Sequence, residues 1–294
     1  MRLWLLGTGT PTPSTRRMCS GYLLQVGSDY LVFDHGFGAH HRLLELGVAA
    51  TQVTHAFFSH HHYDHIGDYP RLLLTRWDQG AGKVPELEVY GPPGMAAITQ
   101  RLFADDGAFG PDLVSSTQNQ ASLDVYRARG GVGERVRPRP AVHELEPGAV
   151  VERAGWTVRA VEVHHFAPHL TSYGYRLDAE GHSFVYSGDT GPCRALASLA
   201  QDCDVLVHMC HYLSGTAPSK VFAAFTMGHL ELAELAQGAR VRNLVLSHVS
   251  AQFDRPGVRE RVIREVGEIF KGNVFFGEDL MEIPFSSPAA VKLD

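Results

Sequence analysis

The sequence is poor in cysteine and has no long apolar run, and these absences exclude two classes of protein. It contains four cysteines in 294 residues, and no two of them form a C-x-x-C pair. We therefore expect no structural disulfides. No run of about 18 apolar residues is present, so we expect no membrane span. The apolar run at the N-terminus is too short for a signal peptide, and the sequence predicts a reduced, cytoplasmic protein.

Positive charge is also scarce. The chain has 26 Lys and Arg against 32 Asp and Glu, which gives a formal net charge of -6. Surfaces that bind nucleic acid need clustered basic side chains to neutralise phosphates, so this balance argues against a nucleic-acid partner. The longest basic stretch, Arg135–Arg139, is short and interrupted by Pro138. We interpret it as a solvated connector.

Histidine, in contrast, is abundant. The chain has 17 histidines, and histidine is the commonest metal ligand in proteins. The remaining composition is that of a folded protein, because 44% of the residues are apolar and 20% are charged. That is enough apolar side chain to bury a core. The positions of the histidines therefore decide whether they form a site.

The order of apolar patterns predicts the fold class. Short apolar runs bounded by glycine or proline predict strands in the first third and again from residue 150. After residue 190, strands alternate with helical patterns such as 259–270. Because strands precede helices in both halves, we predict an α+β fold, a four-layer αβ/βα sandwich of two facing sheets with helices outside. We expect residues 1–294 to form a single domain.

Residues 105–140 interrupt this pattern. They have weak periodicity and are rich in Gly, Pro and polar side chains. A long irregular segment inside a compact domain is usually a lid or a flexible loop. We predict an insertion that covers one face of the molecule, with Phe103, Phe109 and Tyr126 as apolar groups of a lid.

One segment concentrates groups that bind metals. Directly after the predicted strand 55–58, the chain reads H-x-H-x-D-H, with His60, His62, Asp64 and His65. Alternate residues of an extended stretch point to the same side, so His60 and His62 can hold one ion together. The chain must then turn, which lets Asp64 and His65 face a second ion. His61 and Tyr63 point elsewhere.

This motif, followed by Ile-Gly, resembles the signature of the metallo-β-lactamase fold superfamily. The opening Leu6–Pro11 is similar to that of ribonuclease Z and its close relatives, and Val32–Gly36 resembles the family's I-D-x-G turn. Three further parts of the sequence resemble the segments that carry the family's remaining ligands: His165 with residues 173–176, residues 187–190, and residues 246–250. Residues 275–283 resemble the family's closing strand.

The resemblance implies two metal ions and their ligands. His60, His62 and His165 would hold the first ion, Asp64, His65 and His248 the second, and Asp189 would bridge them. These candidates each follow an apolar strand, and sites in such sheets gather at strand ends. Imidazole and carboxylate donors suit two Zn²⁺ per chain, with Mn²⁺ or Fe²⁺ as alternatives.

Several other histidines compete for roles. His164 and His165 follow an alternating strand, so one of them faces inward, and the family pattern favours His165. The resemblance also implies that His229, at the start of a helix, assists catalysis, although Leu230-Glu231 replaces the usual Ser-Thr. The sequence leaves open whether His169 lines the substrate pocket or lies in a surface loop. It also leaves open whether His208 and His211 line the pocket or His208 supports a ligand, and whether Cys210 is an extra ligand.

The expected reaction is hydrolysis by a metal-bridging hydroxide. Asp64 would orient or deprotonate this nucleophile, and His229 would protonate the leaving group. Ribonuclease Z has a long basic arm that clamps tRNA, inserted between the segments here represented by Arg176 and Ser187, but only ten residues separate these two positions.

We therefore favour a small ester-like substrate, either a carboxylic ester or lactone or a phosphodiester, in a chain that forms a homodimer. The alternative is tRNA 3′ processing like that of ribonuclease Z. A di-iron redox member of the superfamily is a third hypothesis, but that class usually has a fused flavin-binding domain and more acidic ligands.

Overall fold

Two mixed β-sheets of seven strands each face one another in the computed structural model, which describes residues 1–286. The first sheet has the order β14-β1-β2-β3-β4-β5-β6. Its strands are β1 (Arg2–Gly7), β2 (Gly21–Val26), β3 (Asp29–His35), β4 (Val53–Phe57), β5 (Glu88–Gly91), β6 (Ala141–Glu144) and β14 (Glu282–Ile283).

The second sheet has the order β13-β12-β11-β10-β9-β8-β7. Its strands are β7 (Val150–Arg153), β8 (Trp156–Glu162), β9 (Tyr173–Ala179), β10 (His182–Tyr186), β11 (Val205–Met209), β12 (Asn243–Ser247) and β13 (Asn273–Phe276). Strands β10 to β13 are parallel, as are β3 to β6. Each sheet therefore gathers several carboxyl ends along one edge.

Helices cover the outer face of each sheet. The helices that connect strands β3 to β6 of the first sheet are α1 (Ala39–Glu45), α2 (Tyr63–Ile66), α3 (Tyr69–Gly80), α4 (Met95–Phe103), α5 (Gly110–Gln118) and α6 (Gln120–Ala128). The helices that connect strands β10 to β13 of the second sheet are α7 (Arg194–Leu199), α8 (Lys220–Phe225), α9 (His229–Gly238) and α10 (Val258–Ile269). None of the helices within residues 1–286 is both long and apolar enough to cross a membrane.

Three apolar clusters separate the layers. The central cluster lies between the sheets and includes Phe33, Trp156 and Phe184. A second cluster packs α7, α9 and α10 on the second sheet, and a third packs α1, α3 and α4 on the first. Burial of both faces of each sheet explains why their central strands are apolar on both sides. The predicted four-layer αβ/βα sandwich is confirmed.

The segment 105–140 differs from its prediction. It contains α5 and α6 instead of an irregular loop. It packs on the far end of α3, where the Arg135 guanidinium lies 4.2 Å from the ring centre of Trp77 and binds Asp78 at 2.6 Å. Arg135 is buried, so the prediction of a solvated connector is wrong at this residue.

The aromatic groups expected to form a lid belong to the packing of this layer. Phe103 is buried against Tyr69, at 5.9 Å between ring centres, and stacks on Phe109. Tyr126 is buried, and its hydroxyl donates to the Val132 carbonyl. The side-chain hydrogen bonds and ion pairs described for this segment do not reach the predicted metal ligands. The cover over the site stays a prediction without a supporting contact, as does the single domain spanning 1–294.

Candidate metal centre

The predicted metal ligands come from both sheets and meet where parallel strands end. The loop after β4 carries the H-x-H-x-D-H motif, and its last two members lie on the short helix α2. The loops after β8, β10 and β12 bring in His165, Asp189 and His248. Six of the seven predicted ligands are buried, and His62 is half-buried.

The first predicted group converges as expected. Donor atoms of His60, His62 and His165 lie within 4.8 Å of one another. The Nε2 of His60 is 3.0 Å from the Nδ1 of His62, and the Nε2 of His165 is 3.3 Å from that same atom. His164, the competing candidate, is exposed. The structure therefore favours His165 over its neighbour.

The second predicted group lies beside the first. Donor atoms of Asp64, His65 and His248 also lie within 4.8 Å of one another. The Oδ2 of Asp64 is 3.4 Å from the Nε2 of His65 and 3.3 Å from the Nε2 of His248. Each group thus contains three donors, two from the β4 side and one from the second sheet.

Asp189 lies between the two groups. Its Oδ2 is 3.5 Å from His65 and 3.3 Å from His248 in the second group, and 3.6 Å from His165 in the first. A carboxylate in this position can contact ions held by either group. This is the position that the bridging role requires.

The polarity of the centre fits divalent cations. The Oδ1 atoms of Asp64 and Asp189 and the Nε2 of His65 are buried without a hydrogen-bond partner, whereas buried polar atoms are normally satisfied. Burial lowers the pKa of His65, but Asp189, Asp64 and Asp34 raise it well above its ordinary value. Burial also opposes ionisation of Asp189, yet His248 and His65 hold its pKa well below the usual range. Clustered carboxylates therefore require positive charge here, and the imidazole and carboxylate donors are those that zinc prefers.

Asp34 supports the centre without belonging to either group of predicted ligands. Its Oδ2 accepts hydrogen bonds from His65 Nδ1 at 2.7 Å, from Ser59 Oγ at 2.6 Å and from the Tyr186 hydroxyl at 2.6 Å. Its Oδ1 accepts from the Ser59 amide at 2.7 Å. Such contacts fix the ring orientation of a metal-binding histidine. The sequence analysis noted the turn that contains Asp34 but assigned this residue no role.

The position of His229 does not support its predicted catalytic role. This residue is buried at the start of α9, where its Nδ1 accepts from the Ser214 amide at 3.0 Å. Its Nε2 is 2.8 Å from a carboxylate oxygen of Glu265, on α10. Both ring nitrogens therefore have partners outside the metal centre.

His211 lies at the centre instead. Its Nδ1 is 3.4 Å from the Nδ1 of His248, and the residue is partly exposed. Burial and the charge of His248 lower the pKa of His211 to about 4. The neighbouring His208 is buried, and its Nδ1 donates to the Met209 carbonyl at 2.8 Å. The signal that could have identified His211 is its place two residues after the buried strand β11; the sequence analysis left its role open.

The remaining candidates lie outside the centre. His169 is exposed in the loop after His165. Cys210 is buried among apolar side chains of the second sheet and its helices. Neither residue, nor His61, is among the groups of potential metal donors found within residues 1–286.

No arm separates β9 from β10. These strands form an antiparallel hairpin whose register ends with Ala179 opposite His182, so only Glu180 and Gly181 connect them. Both residues adopt positive φ, 52° and 75°, as a tight hairpin turn requires. The short spacing noted in the sequence therefore corresponds to a simple turn.

Comparison with known proteins identifies the family. Residues 30–249 match the family model described as "Beta-lactamase superfamily domain". The chain belongs to the β-lactamase superfamily. Within it, the chain is similar to ribonuclease Z of Mycobacterium sp. (strain KMS), with 31% identity over 293 residues that cover 98% of this chain and 97% of the relative. It is therefore a ribonuclease Z-like member of the superfamily and a metal-dependent hydrolase.

Solved structures agree with this fold. The metallo-β-lactamase fold protein YhfI from Bacillus subtilis aligns with a TM-score of 0.73 at 19% identity and covers 96% of this chain and 99% of its own. The short form of human tRNase Z aligns with a TM-score of 0.69 at 22% identity and covers 97% and 100%. At 19% and 22% identity these likenesses show the fold alone.

Proposed function

We propose that this hydrolase is a phosphodiesterase that cleaves RNA, with tRNA 3′ processing as its specific reaction. The observation that carries the proposal is the likeness to ribonuclease Z over 98% of the chain, at a site where the whole predicted ligand set converges. This reverses the preference drawn from the sequence, which placed a small ester-like substrate first. The ligand set is common to both readings, so the support for this choice comes from the likeness to ribonuclease Z.

The donor groups suit attack on a phosphodiester. Two zinc ions held by the two groups would act as Lewis acids and lower the pKa of an attacking water. Asp64 has a buried Oδ1 without a hydrogen-bond partner, and we assign this oxygen to orient the water and accept its proton. His211, partly exposed beside His248, is the group we assign to the leaving oxygen in place of His229. An uncharged imidazole there can donate a hydrogen bond to developing negative charge.

A small ester-like substrate is the second candidate, and the hairpin between β9 and β10 favours it. The turn of two residues offers no arm to hold tRNA. Three basic residues of the segment 105–140 are engaged within the chain. Arg129 and Arg135 both bind Asp78, and Arg137 binds Asp105. RNA phosphates that bound these three residues would have to displace their internal partners.

A substrate panel with one metal-loaded preparation tests the proposal. The panel contains a precursor tRNA with a 3′ trailer, an unstructured RNA, a chromogenic phosphodiester, an aryl ester and an acyl lactone. We expect the precursor tRNA to be cut at its 3′ end with the highest kcat/KM. Asp189→Asn should abolish this activity, whereas Asp204→Asn, at the opposite end of β11, should keep it. Efficient hydrolysis of the ester or lactone, with precursor tRNA intact, would establish the second candidate instead.

We further propose two zinc ions per chain and a homodimer. Elemental analysis should find close to two equivalents of zinc, and a variant with His62→Ala and His165→Ala should retain at most one. Light scattering should give twice the mass of the chain. Two tightly held ions in the double variant would contradict the assignment of the first group.

A further inference from the structure

Within residues 1–286, the exposed Phe, Tyr and Trp side chains number three: Phe37 at 51%, Tyr63 at 57% and Phe166 at 43%. Tyr63 directly precedes Asp64 in the metal-binding motif, and Phe166 directly follows His165. Contiguous exposed apolar surface marks binding sites more often than a random position does. These exposed rings therefore indicate a candidate binding surface near the metal centre.

Phe166 lies against the first ligand group. Its ring centre is 4.5 Å from that of His165 and 5.5 Å from that of His62. It also stacks on Phe225, at 5.7 Å between ring centres and 19° between planes. The backbone of Phe166 has φ 47°, in the left-handed region that a bulky side chain rarely adopts. Backbone preference therefore does not explain the placement of this ring.

The second aromatic pair belongs to segments next to Asp64 of the second ligand group: Tyr63 directly precedes Asp64, and Gly36, before Phe37, lies so close that an added Cβ would be 1.9 Å from the Asp64 carbonyl oxygen. The rings of Phe37 and Tyr63 are 6.1 Å apart. Phe37 covers Gly67 so closely that an added Cβ would lie 2.8 Å from the ring. The pair borders a cavity of about 390 Å³, within the size range of small-molecule sites. Its other walls include Pro11, Pro13, Met18 and Cys19.

We propose that these two aromatic pairs, Phe166–Phe225 and Tyr63–Phe37, are stacking surfaces for the two nucleobases that flank the scissile phosphate. The inference rests on the proposed phosphodiesterase function and names how its substrate is recognised. Phe166 lies against His165 of the first group, and Tyr63 directly precedes Asp64 of the second, so we place one aromatic pair on each side of a phosphate held between the groups. Nucleobases have a π-face next to each phosphodiester, whereas alkyl esters and lactones have none. Stacking is tolerant of base identity, and losing one aromatic partner usually costs about tenfold or more in affinity.

Binding without turnover provides the first test. Metal-loaded protein is titrated with adenosine monophosphate and with ribose 5-phosphate, which differ by the base. We expect the nucleotide to bind about tenfold more tightly. Phe166→Leu and Tyr63→Leu remove a π-face while they keep apolar bulk, and at least one should abolish that difference. Phe109→Leu, in the helix layer on the first sheet, is the matched control and should preserve it.

Turnover provides the second test. A dinucleotide is compared with analogues in which either nucleotide is abasic, and metal content is measured for every variant. We expect each abasic analogue to lose about tenfold in kcat/KM with the wild-type protein. The leucine variant of the corresponding ring should show no further loss with that analogue. Metal content should remain unchanged.

The outcomes separate this inference from the proposed function. Equal binding of the two phosphates to a protein that cleaves phosphodiesters would overturn the stacking surfaces and leave the function intact. Base-dependent binding that Phe166→Leu removes, in a protein that cleaves no phosphodiester, would support the surfaces and refute the function. Metal loss in Phe166→Leu, or a dimer that Phe166→Glu dissociates without altering base preference, would assign that ring to another role and overturn the inference for it.

Discussion

Asp34 connects the two sheets beneath the metal centre, and Asp34→Asn should weaken metal binding although Asp34 is not among the predicted ligands. The buried carboxylate accepts four hydrogen bonds, two from Ser59 and one each from His65 and Tyr186. The asparagine side chain has nearly the same shape but exchanges one acceptor oxygen for a donor amide. At least one of the four donors must then face another donor, and His65 loses the carboxylate that contacts its Nδ1.

The size of the effect follows from these contacts. A buried donor left without an acceptor costs about 1–3 kcal/mol, and a hydrogen bond to a charged group contributes about 1.5–3 kcal/mol. We therefore expect the metal-free protein to lose about 3 kcal/mol of unfolding free energy. Loss of the group that orients a metal-binding histidine typically weakens metal affinity about 10–100-fold. The second ligand group, which contains His65, should show this loss.

Competition with a chromogenic chelator measures the affinity, and urea unfolding of the chelated protein measures the stability. Asp204→Asn is the control, because Asp204 is another buried carboxylate that accepts hydrogen bonds from the Ser183 amide and hydroxyl, at 2.9 and 3.4 Å. It precedes β11, at the end opposite to the metal centre. Asp204→Asn should lower stability while metal affinity stays unchanged. Wild-type metal affinity in Asp34→Asn, or an equal loss in both variants, would refute this reasoning.

Three further predictions concern residues away from the ligands. His229→Gln should lower the unfolding free energy by about 1–3 kcal/mol, because the contact with Glu265 is lost. Its kcat, measured by steady-state kinetics, should fall far less than the 10²–10⁴-fold typical of an acid–base group, and a fall of that size would contradict this prediction. Arg135→Ala should lower the midpoint of thermal unfolding, because it removes the ion pair between the buried Arg135 guanidinium and half-buried Asp78, and should leave kcat/KM unchanged. Reduced kcat/KM with wild-type stability would instead support a cover over the site. Burial lowers the pKa of His40 to about 4, so the unfolded chain takes up a proton at higher pH than the folded protein does. The stability due to neutral His40 is therefore lost as pH falls from about 6.5 to 4, and His40→Gln should reduce this pH dependence by at most about 3 kcal/mol. Urea unfolding at several pH values measures this, and parallel profiles for the variant and the wild type would contradict it.

The ligand groups could be predicted from sequence because their information is local. Four of the seven predicted ligands lie within six consecutive residues, 60–65. The other three are implied by the resemblance to the superfamily, and the place of each after an apolar strand agrees with it, because strand ends of parallel sheets gather at one edge. Alternation within an extended stretch then separates the pair His60 and His62 from Asp64 and His65. The structure brings together these same two groups.

The roles of residues that depend on partners distant in the chain could not be predicted from the local sequence. The orientation of His229 is set by Glu265, which is 36 positions further along the chain on α10. The helix-start position was visible in the sequence, but the direction of the ring depends on how α9 and α10 pack. Asp34 likewise acquires its importance from Tyr186, which is 152 positions away. A motif identifies such residues as present without showing which atoms they contact.

The helices α5 and α6 were missed for a related reason. Helix α5 begins with Gly-Pro and contains two serines and a threonine, and α6 is only nine residues long and is followed by a segment rich in Gly and Pro, so the surrounding pattern favours a loop. Tertiary contacts supply what the pattern lacks. Leu113 is buried in the third apolar cluster, and Tyr126 packs near the Arg135 guanidinium, 5.6 Å from its ring centre. Most helical stability in proteins comes from such packing rather than from propensity.

The packing of the two sheets also sets the geometry of the metal centre. Each ligand group takes two donors from the loop after β4 and one from the second sheet, so sliding one sheet over the other would separate the donors of both groups at once. Buried hydrogen bonds between the sheets oppose this movement. The Tyr175 hydroxyl donates to the Phe58 carbonyl at 2.7 Å, and the hydroxyls of Tyr22 and Ser247 are 2.8 Å apart. Phe58 lies two residues before His60, and Ser247 directly precedes His248. The tyrosines between the sheets therefore position the ligands of both groups without contacting a metal ion.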